Sequence, residues 1–589
     1  QAFPLVGQVD TDNGTTVPQL VDDFSWSAVP DPSDPGNGEY LDQGRLAGQR
    51  MDIGGGQGEW SHETTPDQTL LLTASGRPGD SWAGRAWSTS QTFEERDLVM
   101  DFTRPLSSLV ERQWQPVVNG CYVRLRGSGK IKVQVKDNKG AVLKEWTIEN
   151  SWGPGFEEIP FFISDPASLS RVKELVLVAE SPTRVEVDAF GLLLELPEAL
   201  VADELLYALV TTYASLLRGF DSDSGLTRDH THREAGRFDS VPATAFQALG
   251  AAVAEDCGIL DRRAAEAVFS KSIEALAAVP VHKGVLPHWL AAGEPHEWST
   301  VDTSLALVSA LLAADILDRP DEEAEILGFI DAVDWEALIN RRGRVAHGYE
   351  KDLSLFFHDW SSWDGEGAVV QLCALLKNPE RALFVMDVVP VHEGVGMIAE
   401  LAGLFARPFA LDSGKDCHGV NWPELRRGML EDQRNWFPAQ FPGSLADDEG
   451  LYGLSYVEVI DAFGNARYLT TGVRPPGGPP GTAGGWVAPH YAAMAGSIDP
   501  DSLAGFLAAL RRLHLLQPLV GMPESIYAAN SGDAPLRWHS GQISINAFFS
   551  FIGLYHAWCL REGRTDAVYG AAADNPRFQA AMERLFGEE

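Results

Sequence analysis

The chain changes its hydrophobic periodicity near Leu196, and the region before this point has the pattern of β-structure. Apolar and polar residues alternate in short runs, as in Ile131-Lys-Val-Gln-Val-Lys136, and Gly and Pro cluster between the runs. Similar runs lie at 122–126, 142–148, 172–178 and 185–194. Such alternation is typical of half-buried strands joined by turns. The pattern predicts an antiparallel β-sandwich over residues 1–197.

From Asp203 onward, apolar residues recur at the three- and four-residue spacing of amphipathic helices. The first such stripe is formed by Leu205, Leu206, Leu209, Val210, Tyr213, Leu216 and Leu217. Further helices are predicted at 243–255, 262–278, 300–316, 321–333, 364–377, 393–406, 424–434, 487–497, 501–515, 541–561 and 575–586. About twelve helices with loops of mixed length favour an α/α toroid over a compact bundle. We therefore predict a multidomain β + α protein, with the toroid at residues 198–589.

The composition is that of an ordinary folded protein with a large excess of acidic residues. Of 589 residues, 44% are hydrophobic and 22% are charged, and 83 acidic against 46 basic residues give a net charge of −37. This charge argues against nucleic acid and anionic membrane surfaces as partners, because both attract basic patches. No apolar run approaches the roughly 18 residues of a membrane span, so we expect no membrane insertion.

The sequence lacks the usual signatures of metals and cofactors. The five cysteines are scattered, and no Cys or His cluster has the spacing of a zinc site. The residues His282, His288 and His296 include no pair at i, i+4 on a helix. There is no phosphate-binding loop, no dinucleotide-binding glycine motif, no nucleophile elbow and no HExxH sequence. We expect neither a metal nor a cofactor.

The run Glu297-Trp-Ser-Thr-Val-Asp-Thr303 places two carboxylates, an indole and three hydroxyls at the start of an apolar helix. A helix N-terminus that presents acids beside an aromatic residue can bind and protonate a polar ligand. The alternative is structural, because Ser299-x-x-Asp302 fits a capping box. Asp302 thus remains open between the two roles. Glu297 precedes the helix, where no cap requires it, and we interpret it as functional.

A second acidic junction runs from Phe356 to Glu366 and also precedes an apolar helix. Asp364 could simply cap this helix, whereas Glu366 is not explained by capping. Other loop-to-helix junctions repeat the combination of acid or histidine with aromatic residues. Their candidate side chains are His288, Trp289, Trp363, Tyr452, Glu458, Trp486, His490, Glu524, Trp538 and Gln542.

This recurrence points to a saccharide ligand. Aromatic faces stack on the C–H faces of sugars, while acids and amides bind their hydroxyls. Glycoside hydrolysis needs two carboxyl groups with opposed roles, an acid for the leaving oxygen and a base or nucleophile. The candidate catalytic residues are Glu297, Glu366 and Glu458.

In these residues the chain resembles the glycoamylase-like family of bacterial α/α-barrel proteins, which includes β-1,2-glucanases and the cyclisation domains of cyclic β-1,2-glucan synthases. The resemblance extends from about Leu205 to Phe586. Its motifs, in chain order, are Gly225-Leu-Thr-Arg-Asp229, Ser240 to Ala251, Glu297 to Thr303, Trp363-x-x-Glu366, Leu451 to Ser455, Gly485-x-x-Ala-Pro489 and Gly521 to Tyr527. The shared order of these motifs carries the resemblance.

The resemblance implies an (α/α)6 barrel and an inverting glycoside hydrolase, with β-1,2-glucan as the favoured substrate. It implies that Glu297 and Glu366 are the leading acids, and it adds Asp229 to the substrate-binding candidates. Glu458 and Glu524 fall where the family often has Asp. Two departures leave the glycan open: Ala291 stands where an Asp is expected, and Ser540-Gly541-Gln542 replaces an Asp-Gln-Gly pattern.

The first domain resembles the galactose-binding-like jelly rolls that accompany glycosidases. It could bind glycans through Trp82, Trp87, Trp114 or Trp152, or it could be a structural buttress for the barrel, which we favour. The resemblance is to bacterial proteins and the first residue is not Met, so we expect a periplasmic or secreted location, with a cytoplasmic location as the open alternative.

The catalytic roles remain open at this point. We predict Glu366 as the acid with Glu297 or Glu458 as the base, and the roles could be exchanged. One alternative is a polysaccharide lyase using Tyr452, His490 and Arg228, because α/α toroids also carry out β-elimination. Another alternative is a glycan-binding protein without catalysis.

Overall fold

The computed structural model describes residues 16–22, 49–64, 70–88, 106–137, 140–163, 174–230, 238–389, 394–412, 414–460, 466–472, 485–529, 537–539 and 543–587. The described part of the first region contains strands and almost no helix. The strands are β1 (Thr16–Asp22), β2 (Gln49–Gly56), β3 (Trp60–Thr64), β4 (Leu70–Ala74), β5 (Ser81–Ser88), β6 (Val117–Lys136), β7 (Val142–Ser151), β8 (Glu157–Phe162) and β9 (Glu174–Glu195).

Two long strands, β6 and β9, run antiparallel through the centre of a nine-stranded sheet. β9 also pairs with β1, β4 and β5, and β6 pairs with β7 and β8. Alternation fixes the two faces: Ile131, Val133 and Val135 are buried, while Lys130 and Lys132 pair with Glu180 on the other face. The predicted β-rich region is confirmed, and its division into the two sheets of a jelly roll stays a prediction.

Of the tryptophans considered for glycan binding, one is buried and two are half-buried. Trp152 is buried, and Trp82 is half-buried. The indole N–H of Trp114 donates to the carbonyl oxygen of Gly258, in the helical region, over 2.6 Å. Trp87 lies in β5, and its side chain is outside the described part. These contacts favour the buttress over the glycan-binding interpretation.

Helices dominate the chain after Glu195, as the periodicity predicts. The helices are α1 (Glu198–Val201), α2 (Glu204–Gly219), α3 (Val241–Asp256), α4 (Arg262–Ala278), α5 (Thr300–Ile316), α6 (Pro320–Ala332), α7 (Gly365–Lys377), α8 (Gly396–Glu400), α9 (Arg407–Ala410), α10 (Trp422–Gln440), α11 (Leu445–Glu449), α12 (Pro489–Met494), α13 (Pro500–Arg512), α14 (Ser544–Glu562), α15 (Ala567–Asp574) and α16 (Pro576–Phe586). None of these described helices is long and apolar enough to cross a membrane.

Six helices contact one another in a closed cycle, which we call the inner ring: α3, α5, α7, α8, α12, α14 and back to α3. Outer helices pack on them, with α4 on α3, α6 on α5, α16 on α7, α10 on α8 and α2 on α14. The inner helices are apolar on nearly all sides because they are enclosed on nearly all sides; every residue of α3 from Val241 to Ala254 is buried. The N-terminal turns of four of these helices, α5, α7, α8 and α14, lie around one common cavity.

Short strands inside the helical region were not predicted. They are β10 (Thr227–Arg228), β11 (Phe238–Ser240), β12 (Pro287–Ala291), β13 (Glu294–Ser299), β14 (Gly348–Tyr349), β15 (Tyr456–Ile460), β16 (Ala466–Thr470), β17 (Trp486–Val487), β18 (Ser525–Tyr527) and β19 (Arg537–His539). β11, β13 and β17 lead directly into α3, α5 and α12. Of these three strands, β13 brings Glu297 and Ser299 to the cavity at the start of α5.

The predicted long helix at 393–406 is wrong. The structure has only the five-residue α8 followed by a 3-10 turn at Leu401–Leu404. Glycines at 394, 396 and 403 lie in this segment, and glycine is the weakest helix former after proline.

Candidate active site

A cavity of about 560 Å³ lies at the N-terminal ends of four of the inner-ring helices. Its walls come from the first turns of α5, α7, α8 and α14 and from strands β12, β13, β15 and β16. The lining residues are Asp229, His230, His288, Glu297, Ser299, Val301, Asp302, Leu305, His347, Trp360, Glu366, Met397, Leu401, Tyr456, Glu458, Tyr468, Ile543, Ile545, Asn546 and Phe549. All three candidate catalytic glutamates are among them.

Asp302 forms an ion pair in addition to its place in a helix cap. Its backbone N–H donates to Oγ of the N-cap Ser299 at 3.3 Å. The return bond of a capping box is not made, because the N–H of Ser299 donates to the carbonyl of Leu286. The Asp302 carboxylate lies instead 2.5 Å from Nδ1 of His288. A purely structural role thus leaves this contact unexplained.

The ionisation of this pair is set by its two members. Burial opposes charge on His288, but Asp302 outweighs it and raises the pKa of His288 to about 9. Burial likewise opposes charge on Asp302, yet His288 keeps the pKa of Asp302 below its usual value. At neutral pH the pair is therefore a cation beside an anion.

Glu297 lies in β13, opposite His288 across the β12–β13 hairpin, between the pairs Pro287–Trp298 and Trp289–His296. Its backbone has φ +53°, a left-handed conformation that is costly for a residue with a long side chain. Burial raises the pKa of Glu297 and His288 partly opposes this rise. The hairpin thus holds a carboxyl group in the cavity at a local conformational cost.

Glu366 occupies the first turn of α7. The N-cap residue Asp364 accepts the backbone N–H of Gly367 at 2.9 Å, so the predicted capping role of Asp364 is confirmed. Burial, then the negative charges of Asp364 and Asp302, raises the pKa of Glu366 to about 8. Among the described residues, none makes a hydrogen bond or ion pair with the Glu366 carboxyl group. It is a protonated carboxylic acid at neutral pH, free to donate its proton.

Glu458, on β15, accepts hydrogen bonds from two histidines. Its Oε2 lies 3.2 Å from Nε2 of His230 and 3.1 Å from Nε2 of His539. Nδ1 of His230 is in turn 3.1 Å from Oδ2 of Asp229. Burial opposes charge on His230, but Asp229 and Glu458 raise its pKa to about 9. Glu458 therefore faces a histidinium, which stabilises its carboxylate form.

Glu524 lies behind Glu458 and outside the cavity lining. Its Oε1 accepts the side-chain amide of Asn546 at 2.8 Å and the backbone N–H of Glu458 at 3.2 Å, and its Oε2 accepts the N–H of Ile543. Burial is the main cause that raises the pKa of Glu524 to about 8. Its contacts join β15 to the start of α14, which indicates a positioning role, and the predicted contact of Glu524 with substrate stays a prediction.

The lining contains two aromatic pairs that are not among the predicted ligand-binding residues, although Trp360 lies in the predicted junction from Phe356 to Glu366. Trp360 stacks on His347 with a centroid distance of 4.1 Å. Tyr456 and Tyr468 stack with a centroid distance of 6.0 Å and an interplanar angle of 8°. Tyr456 stands two positions before Glu458, so strand alternation could have indicated it. The partners His347 and Tyr468 carry no local sequence signal.

Several predicted ligand-binding residues lie outside the lining. Trp363 is fully buried and donates to Oδ2 of Asp416 at 2.7 Å. The remaining ones are Trp289, which stacks on His296, and the buried Tyr452, Trp486, His490 and Trp538. Trp363 and Trp486 stand just before α7 and α12, where their buried side chains belong to hydrophobic clusters. Gln542, with Ser540 and Gly541, lies outside the described residues.

The residues of the lyase alternative do not converge in this cavity. Tyr452 packs against Phe506, and burial lowers the pKa of His490 to about 3. Arg228 is buried next to the cavity residue Asp229 but is not in the described lining. None of the three residues proposed for β-elimination is in the described lining of the cavity.

The sequence matches no protein-family model and no curated protein sequence. The fold, in contrast, is found in solved structures. A β-1,2-glucanase from Parabacteroides distasonis is similar with a TM-score of 0.56 at 11% identity, over 97% of this chain and 100% of that chain. This similarity includes the β-rich first region.

Two further structures are similar over about two thirds of this chain. A candidate glucoamylase from Bacteroides caccae gives a TM-score of 0.53 at 12% identity, over 65% of this chain and 98% of that chain. An endo-β-1,2-glucanase from Chitinophaga pinensis, in complex with sophorotriose and glucose, gives a TM-score of 0.50 at 14% identity, over 65% of this chain and 97% of that chain. The chain therefore has the fold of glucanase-type proteins.

Proposed function

We propose that the protein is a glycoside hydrolase that cleaves a β-glucan, with β-1,2-glucan as the first substrate to test. In this proposal residues 198–589 form an (α/α)6 toroid and residues 1–197 form a galactose-binding-like sandwich that buttresses it. The closed cycle of six inner helices supports the toroid. Similarity in fold to a β-1,2-glucanase over nearly the whole chain supports the substrate class.

One observation carries the proposal: Glu297, Glu366 and Glu458 line the same cavity although they come from different elements of the chain. Their environments differ. Burial and like charge keep Glu366 protonated, while two histidine N–H groups face Glu458. A pair of carboxyl groups held in opposite protonation states is what acid–base cleavage of a glycosidic bond requires.

In the proposed reaction, Glu366 donates its proton to the glycosidic oxygen as the bond between that oxygen and the anomeric carbon breaks. A water molecule attacks the anomeric carbon from the opposite face and gives its proton to the Glu458 carboxylate. Addition of water across the bond yields two saccharides, and the anomeric configuration is inverted. His230 and His539 hold the Glu458 carboxylate in place.

Glu297 is the competing base. It is half-buried in the same cavity, and the cation His288 lies opposite to it. Its burial-raised pKa makes it a weaker candidate than Glu458 for a group that must be ionised before attack. If Glu458 is the base, Glu297 instead contacts a sugar hydroxyl or helps to keep His288 protonated.

The test is a set of amide variants assayed on linear β-glucans of defined linkage. Glu366→Gln cannot donate an acidic proton, so we expect kcat to fall by roughly 100-fold to 10,000-fold. Glu325→Gln, at an exposed position of α6, is the matched control and should retain full activity. The product anomer, followed by NMR during early turnover, should be α if the reaction inverts the β-linkage.

Azide separates the two candidate bases. A small anion can replace the attacking water where the base has been deleted, so azide should restore turnover to Glu458→Ala but not to Glu297→Ala. Azide rescue of Glu297→Ala alone would identify Glu297, not Glu458, as the base.

Full activity of Glu366→Gln would remove Glu366 as the acid. Saccharide binding without turnover of any glucan would identify a binding protein instead.

A further inference from the structure

The β15–β16 hairpin presents two tyrosines and a glutamate to the cavity. Tyr456 and Glu458 are two positions apart on β15, so their side chains leave the same face of the strand. Tyr468 of β16 is the direct cross-strand partner of Glu458. All three residues are part of the cavity lining. The candidate base Glu458 and the two tyrosines therefore lie on the same face of the hairpin.

The two tyrosine rings are nearly parallel, with an interplanar angle of 8°. Tyr456 is half-buried and packs against the core, which fixes its ring. Tyr468 is 61% exposed. Packing within the protein therefore does not explain why an aromatic residue stands at position 468. Most of the Tyr468 side chain remains available to a ligand.

The surroundings of the pair define the chemistry of that ligand. An aromatic face attracts C–H groups, and the neighbouring Glu458, His230 and Asp229 bind hydroxyl groups. A pyranose ring with equatorial hydroxyls combines these properties, because its faces carry C–H bonds and its rim carries O–H groups. A flat aromatic base stacks without needing the adjacent acids, and an anionic ring is repelled by them.

We propose that Tyr456 and Tyr468 form a binding subsite for one uncharged pyranose unit of the glycan, held with its rim against Glu458. This subsite rests on the proposed function for its position beside the reacting bond, but its ligand class follows from the hairpin itself. Tyr468 supplies the exposed stacking face, and Tyr456 holds Tyr468 in its orientation.

The experiment measures saccharide binding separately from turnover. Calorimetric titration of a Glu366→Gln background with β-1,2-, β-1,3- and β-1,4-linked gluco-oligosaccharides gives affinity without cleavage. Tyr468→Ala should raise Kd roughly 5- to 10-fold, whereas Tyr468→Phe, which keeps the ring, should stay within about twofold. Phe357→Ala removes an aromatic side chain that is 78% exposed and outside the described lining, and it should leave Kd unchanged.

The outcomes of the binding and activity assays distinguish the two proposals. Unchanged Kd and KM in Tyr468→Ala overturns the subsite even if the protein hydrolyses β-glucan. Loss of affinity in Tyr468→Ala, in a protein that cleaves no glucan, supports the subsite and overturns the hydrolase. A Tyr468→Phe variant as weak as Tyr468→Ala assigns the effect to the hydroxyl and overturns stacking. Failure of every oligosaccharide to bind overturns both proposals.

Discussion

At the scale of single residues, Asp364 has two effects on the site. It caps α7 through Gly367, and its negative charge is the largest contribution after burial to the raised pKa of Glu366. In the proposed reaction Glu366 must be protonated to act as the acid, so we expect activity to be lost as pH rises through the pKa of Glu366, about 8.

Asp364→Asn separates the cap from the charge. Asparagine caps a helix as well as aspartate does, so α7 should remain intact. Loss of the negative charge lowers the pKa of Glu366, and the alkaline limb of kcat/KM should move to lower pH by roughly 0.5 to 1 unit. Asp261→Asn, which changes the N-cap of the outer helix α4, is the control and should leave the pH profile in place. A profile that does not move in Asp364→Asn would contradict this account.

Glu524 makes stability depend on pH. Its pKa rises from 4.5 to about 8 on folding. The stabilising contribution is therefore fully present below pH 4.5 and is lost as pH rises through about 8. Glu524→Gln loses the bond from Ile543 at every pH but does not titrate. The free energy of unfolding, measured with denaturant, should fall across this interval more steeply in wild type than in Glu524→Gln. Equal slopes would argue against a buried, titrating Glu524.

At the scale of elements, a glycine holds the Glu297 hairpin in place. β14 pairs with β13 through Ser299–Gly348 and Trp298–Tyr349. Gly348 has φ +148°, and a Cβ there would collide with the carbonyl oxygen of Trp298. We expect Gly348→Ala to destabilise the protein by about 2–4 kcal/mol in denaturant unfolding.

The control for this change is Gly328→Ala in the exposed helix α6, where a Cβ meets nothing within 4 Å. Alanine is a better helix former, so that variant should gain up to about 1 kcal/mol. A Gly348→Ala variant as stable as wild type would show that β14 tolerates rearrangement. Activity of Gly348→Ala should fall along with stability, because the same pairing orients Glu297.

The helix caps could be predicted from the sequence, whereas the short hairpins at the site could not. The caps Ser299 and Asp364 and the helices behind them were predicted from local spacing, and the structure has both caps. The hairpins β12–β13 and β15–β16 were not, because their short strands lie within a region whose dominant periodicity is that of helices. Such short strands are held by partners elsewhere in the chain, as Gly348 holds Ser299.

At the scale of the whole molecule, the two regions share one hydrophobic core. Residues from Leu70 of β4 to Leu585 of α16 belong to a single cluster of buried side chains. The N–H of Glu111 donates to the carbonyl of Ile259, next to the Trp114–Gly258 bond. Because the apolar contacts are continuous, we expect the two regions to unfold in one calorimetric transition rather than two. Two well-separated transitions would contradict a shared core.

The arrangement of the site is likewise a property of the whole chain. His230 and Glu458 are 228 residues apart in sequence, and His539 is 81 residues from Glu458. No local pattern connects them, so His230 and His539 could not be assigned from the sequence, although Asp229 and Glu458 were. Closure of the inner ring, through contact of α14 with α3, brings these segments together.

The left-handed backbone of Glu297 limits which residues can occupy this position at low conformational cost. Glycine would relax this position and erase its carboxyl group, whereas glutamate keeps the group and the unfavourable torsion. The backbone torsion at position 297 therefore favours glycine, whereas a carboxyl group in the cavity requires an acidic residue there.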